Sequence, residues 1–160
     1  MIPVKWPQGR ASSLFYSRVQ AYAKQILTTK LLAVDPASGK TSKPGYAYYE
    51  AGKLLESGVI DVPVGNTGHR LADLYSCVAR EFTGIDVLVV EQLRGPKISP
   101  VLHWATGVTV AAVNAPILYE LPIYVWKAWA KTLPDYTKTD DQDARAIGDS
   151  ILALARTGHA

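Results

Sequence analysis

Cysteine is almost missing from this chain: Cys77 is the only one in 160 residues. A single thiol excludes an internal disulfide framework and any zinc site built on cysteine pairs. Cys77 itself reads as a small core residue on a helix. Histidine is scarce as well. His69, His103 and His159 are scattered, and His103, on a small-residue helix, reads as a packed or interface residue rather than a ligand. No apolar run reaches the roughly 18 residues of a membrane span. Met1–Arg10 has Pro, Trp and Lys but no apolar signal-peptide segment. These absences predict a soluble, cytoplasmic protein with no membrane partner.

A glycine is missing at a decisive place. Gly39-Lys40-Thr41 resembles the end of a phosphate-binding loop, G-x-x-x-x-G-K-[ST]. The first glycine of that pattern falls on Val34, inside an apolar run. Without it the backbone has no freedom to wrap phosphates, and the P-loop reading fails on its own spacing.

Acids are thin at the start. Residues 1–45 carry seven Lys/Arg against Asp35 alone, a net +6, whereas the remainder carries ten bases and thirteen acids, a net −3. A basic arm on a locally acidic body suits a polyanion-binding surface beside metal-binding carboxylates, although an ordinary solvated surface has the same composition.

What is present is a one-domain globular composition, 48% hydrophobic and 19% charged. Apolar periodicity predicts a helix from Ser12 or Ser13 to about Thr28. A strand Leu31–Asp35 follows, then strands over Gly45–Ala51 and Leu54–Val62, with a turn at Gly52-Lys53. A helix over His69–Thr83 is ended by Gly84. Val87–Val90 reads as a central strand buried on both faces. Ser99-Pro100 opens a small-residue helix that Pro116 ends or kinks. A strand is expected at Leu121–Trp126, and a last helix from Thr139 or Asp140 to about Ala155. An antiparallel three-strand meander followed by alternating helices and strands makes a mixed α/β sheet with helices on its faces. That is the order of a ribonuclease H-like fold, with residues 1–30 as an N-terminal extension and 31–160 as the main domain.

The chemistry lies in the acids. Asp35 and Glu91 each close an apolar strand. A carboxylate there is costly unless paired or metal-bound, and two at one edge repel each other unless a cation lies between them. In "KTDDQDARAIGDS", Asp140 and Asp143 are three apart and share one helical face at the positive end of the dipole. Alone, the two read equally well as capping acids; together with Asp35 and Glu91 they read as ligands. An all-oxygen donor set suits Mg²⁺ or Mn²⁺. Two such ions promote phosphodiester cleavage.

These segments resemble a known family. "LLAVDPASGKTSKPGYAYY" is similar to the first-strand motif of RuvC-type Holliday junction resolvases, and "VLVVEQL" to their strand-closing Glu-Gln. "ATGVTVAAVNAPILYELPIYVWKAWAK" resembles their central helix and next strand, and "DDQDARAIG" their final helix. Four motifs in order span Leu31 to about Ala155. Departures from the pattern are Ala37, Arg94, an insertion around Pro116–Tyr119, a short segment from Lys131 to Asp140, and the N-terminal extension. They point to a divergent, phage-type member.

The resemblance implies a homodimeric endonuclease with a ribonuclease H-like fold. It implies two Mg²⁺ per site (Mn²⁺ substituting), held by Asp35, Glu91, Asp140 and Asp143. It further implies paired symmetric nicks in four-way DNA junctions that leave 5′-phosphate and 3′-hydroxyl ends. Lys40, Lys43, Arg94 and Lys97 flank the motifs and are expected to meet phosphate; Lys127 and Lys131 are placed with them. Trp104, Trp126 and Trp129 read as core or dimer contacts. The rivals are a nuclease of this fold acting on other branched DNA or RNA–DNA hybrids, a non-catalytic junction-binding protein, and a nucleotide-binding ATPase.

Overall fold

A computed structural model describes residues 10–37, 42–93, 98–132 and 139–157. Its centre is two short apolar strands, β1 (Lys30–Asp35) and β4 (Val87–Glu91). They pair in parallel, with Leu31 opposite Val87 and Val34 opposite Val90. All eight residues at Leu31–Val34 and Val87–Val90 are buried. Both strands therefore read as unbroken apolar runs, because a central parallel strand has no solvent face.

Two strands extend the sheet beyond β1. β2 (Gly45–Glu50) pairs antiparallel with β1, and β3 (Lys53–Val59) antiparallel with β2. Their hairpin turns on Ala51 and Gly52, both at positive φ, one residue earlier than the sequence suggests. This geometry matches the right-handed twist of the flanking strands. β5 (Ile117–Leu121) pairs in parallel with β4. The order across the sheet is β3-β2-β1-β4-β5.

Alternation along the strands sends side chains to two cores. Leu31, Ala33, Tyr49, Val87, Val89, Tyr119 and Leu121 face one layer. That layer holds α1 (Arg10–Ala21), α2 (Ala23–Thr28), α5 (Ile123–Ala130) and α6 (Asp140–Thr157). Leu32, Val34, Tyr46, Leu88 and Val90 face the other layer, formed by α3 (Thr67–Glu81) and α4 (Pro100–Val113). The result is a three-layer α/β architecture with a five-strand mixed sheet. Among the described residues, no helix is long and apolar enough to cross a membrane.

Local signals set several boundaries. The Asn66 side chain accepts from the His69 amide at 3.0 Å and starts α3. Gly84, at φ 70, follows the end of α3 as expected. Ser99 caps α4, its Oγ accepting from Val101 N–H at 3.2 Å, with Pro100 in the first turn. Cys77 is buried on α3, as its sequence context indicates.

Two expectations need correction. The expected strand Leu121–Trp126 is not one: the fifth strand lies earlier, at Ile117–Leu121, and Ile123–Ala130 is helical. Asn114 ends α4 in a left-handed conformation (φ 50, ψ 45), which frees Pro116 to lead into β5. Between Pro116 and Pro122 the pattern is two-fold, with Leu118 and Glu120 exposed and Tyr119 and Leu121 buried. Beyond Pro122 the buried residues Val125, Trp126 and Ala130 follow helical spacing. The expected N-terminal helix is also two helices, broken at Tyr22 (φ −121, ψ 22).

Candidate active site

Asp35 and Glu91 are the last residues of β1 and β4. The parallel register, extended one step past Val34 and Val90, sets them side by side on strands about 4.8 Å apart. Alternation continues as well. Asp35 follows Leu31 and Ala33, and Glu91 follows Val87 and Val89, so both acids share the face covered by α6. Both are half-buried. Pro36 follows Asp35 and has no N–H with which to continue the β1 ladder. On β2 the residue opposite Asp35 is Gly45, which places no side chain beside the carboxylate.

α6 brings its first turn to this edge because it runs against β1. Its far end lies over the β2–β3 hairpin, where Arg156 Nη2 donates to the Gly52 carbonyl at 3.1 Å. Its middle lies on Tyr49, the β2 residue opposite Leu31. Its start therefore points toward the Asp35 end. Asp140 is its first residue, and the Asp143 amide donates to the Thr139 carbonyl at 2.9 Å, closing the first helical hydrogen bond. Asp143 is only 7% exposed, beside the buried Ala144, Ala146 and Ile147. A carboxylate so deep at a helix start gains from the dipole but still needs polar partners. Neither Asp35, Glu91 nor Asp143 is without an interaction.

Asp35 and Glu91 thus end neighbouring strands on one face, and Asp143 is buried at the start of the helix that covers that face. The side chain of Asp140 lies outside the described residues. Among the described residues, no group of three or more His, Cys, Asp or Glu is close enough to hold a metal ion. The three acids converge as elements rather than as a closed cage.

The expected basic residues divide. Lys40, Arg94 and Lys97 lie outside the described residues. Lys43 ion-pairs with Asp61, and that ammonium holds the Asp61 carboxyl below the usual range. Lys127 is on α5 and Lys131 caps it, rather than following a strand, and both are exposed. The Lys127 ammonium is 5.9 Å from the centre of the Trp126 ring. Of the tryptophans, Trp126 is buried, but Trp104 is 54% exposed and not a core residue.

Sequence reasoning missed the device that seats α6. Tyr49 Oη lies 2.8 Å from Asp149 Oδ1 and 3.0 Å from the Arg145 carbonyl. Arg145 Nε is 3.6 Å from Asp149 Oδ2, an ion pair too long to be a hydrogen bond. Burial pushes the Asp149 carboxyl above its ordinary range, against the opposing pull of Tyr49, Arg145 and Arg156. Burial, and then the Asp149 charge, pushes the Tyr49 phenol far up. A β-carbon on Gly148 would sit 2.3 Å from the Tyr49 ring, so only glycine admits the ring there. The available signal was Gly148 itself, since a glycine inside a helix costs about 1 kcal/mol and needs a packing reason. Arg70 was also overlooked: it donates to the Ser42 carbonyl and steadies the chain between β1 and β2.

No protein-family model matches this chain, and no curated protein shows significant similarity to it.

Proposed function

We propose that this protein is a Mg²⁺-dependent, structure-selective endonuclease that resolves four-way DNA junctions by paired symmetric nicks, built on a ribonuclease H-like sheet. The antiparallel meander β1–β3 followed by the parallel β4 and β5 is compatible with that fold. One observation carries the functional reading: Asp35 and Glu91 end neighbouring parallel strands in register, on the face where α6 buries Asp143.

The donor set fits the metal. Asp35, Glu91, Asp143 and, from the first position of α6, Asp140 offer oxygen only, the chemistry hard divalent cations take. When bound, Mg²⁺ supplies an activated water and neutralises charge on the leaving oxygen. The chain's part is orientation. Two acids stand on the rigid ends of buried strands, and a third is fixed by a helix locked to β2 through Tyr49. Lys127 and Lys131, exposed on and beside α5, are the described cations proposed to meet backbone phosphate. A two-fold dimer would match the two-fold symmetry of a junction, and α4 offers an exposed apolar face at Trp104, Gly107 and Ala111 for it.

The test is cleavage of a synthetic four-way junction with Mg²⁺ and with EDTA, beside matched fork, flap and RNA–DNA hybrid substrates. Paired nicks confined to the junction and lost in EDTA are expected. Cleavage of forks or hybrids alone would assign the fold to another substrate. Binding without cleavage under any divalent ion would make this a non-catalytic junction binder.

A further inference from the structure

A second concave surface lies beside the acid edge, between the N-terminal extension, which the family motifs do not cover, and β5, which they do. It is an open cleft of about 720 Å³ between α1 and β5. Its floor is Phe15 packed edge-to-face on Tyr119, with ring centres 6.2 Å apart, and Tyr119 Oη donates to the Arg18 carbonyl at 2.7 Å. Tyr22, at the break between α1 and α2, is 47% exposed on one wall, and Leu118, 42% exposed, lies on the other. Arg18, an exposed residue of α1, lines the first wall. Gln92, the residue after Glu91, lines the cleft too, so one end adjoins the acid edge.

We infer that this cleft takes an unpaired nucleotide of a DNA strand, its base against the ring of Tyr22 and its phosphate on Arg18. Three observations select that occupant. Aromatic faces beside a guanidinium are the means by which single strands are held, because every base has a π-face and every nucleotide a phosphate. The helical wall carries no competing acid: residues 1–34 contain no Asp or Glu, and among the described lining residues Arg18 is the one cation and Glu120, on β5, the one carboxylate. The volume is that of a ligand-sized pocket rather than of a flat protein–protein contact. Gln92, able to donate and accept, stands where a base edge is read. The inference rests on the nuclease reading only for its role, which is to hold a base drawn out of the duplex beside the scissile phosphate. Base capture itself needs no metal.

The test is therefore run in EDTA, by fluorescence anisotropy with a labelled oligothymidylate and the full chain. The parent is expected to bind. Tyr22→Ala should weaken binding about tenfold. Arg18→Ala should weaken it and make the salt slope shallower by about 0.7, one phosphate's worth. Lys53→Ala, at the far hairpin, should bind as the parent does. Both cleft side chains are exposed, and equal thermal midpoints verify that the variants fold. No binding by the parent, or equal binding by Tyr22→Ala, overturns the inference. So does self-association that Leu118→Asp abolishes in a parent that ignores the oligonucleotide, which would give the cleft to a second copy. Junction cleavage is scored separately. If it fails while oligonucleotide binding still depends on Tyr22, the nuclease reading falls and the cleft stands. If it succeeds while binding ignores Tyr22 and Arg18, the cleft alone falls.

Discussion

Helices α6 and α4 cover opposite faces of one sheet and are built in opposite ways. α6 is held by directional bonds: Tyr49 to the Arg145 carbonyl and Asp149 in the part-buried interior, and Arg156 to the hairpin carbonyl of Gly52 at the surface. α4 is the more apolar helix, yet it buries only Ala105, Thr109 and Val113 and leaves Trp104 in solvent. The Thr106 and Thr109 hydroxyls bond back into the same helix. Apolar contacts hold a helix against a sheet without fixing its register along it. Hydrogen bonds at defined lengths fix both. The layer that presents the candidate acids is the one whose position is specified.

The contrast predicts unequal sensitivities. The largest effect is expected at the acids. Asp143→Asn should reduce junction cleavage by about a hundredfold or more while leaving the thermal midpoint near the parent's, as measured by initial rates in Mg²⁺. An active Asp143→Asn variant would remove the reason for seating α6 so firmly. Next is the seat. Gly148→Ala should cost about 1–3 kcal/mol in urea denaturation, because its β-carbon displaces the Tyr49 ring. Tyr49→Phe should cost about 1–3 kcal/mol by leaving buried acceptors unmet. On the other face, Trp104→Gln should stay within about 0.5 kcal/mol. A large loss there would show that α4 is specified as tightly as α6.

pH sharpens the same comparison. The folded-state pKa of Asp149 is raised above its unfolded value by burial. Folding therefore favours its protonated form more than the unfolded chain does. That contribution is complete below the unfolded pKa and is lost as pH rises through the folded one. Asp149→Asn should remove this decline. The urea midpoint of the parent, relative to the variant, should fall as pH rises from the acid side toward neutrality. Parallel profiles would refute it. The smallest effect is expected at the hairpin. Ala51 adopts φ 50, and Ala51→Asn should add about 0.5 kcal/mol by supplying the Asn-Gly pair that this turn prefers.

Much of the central architecture was legible because its signals are local. Four consecutive apolar residues before Asp35 and before Glu91 identify strands with no solvent face. Ser99-Pro100 and Gly84 mark helix ends by chemistry present in the sequence, whereas the Asn66 cap, which starts α3 two residues before the expected His69, was not read. Reading failed at "PILYELPIYVWKAWA", where two prolines compete to be the boundary. The choice was made by the left-handed Asn114, a conformation fixed by the chain around it. The Tyr49–Asp149 contact was illegible for another reason. It joins residues 100 apart in sequence, and nothing near Tyr49 distinguishes it from Tyr46 or Tyr48. Asp35 and Glu91 were found because each ends a strand. Their neighbourhood follows from the parallel register, which no single segment encodes.

The lone thiol has a practical use. Cys77 is buried on α3, its Sγ 3.8 Å from the Asp61 carbonyl, in the layer opposite α6. A thiol-reactive dye reaches it readily only when α3 opens locally. Labelling kinetics thus clock the breathing of one side of the molecule against a silent background, with no engineered probe.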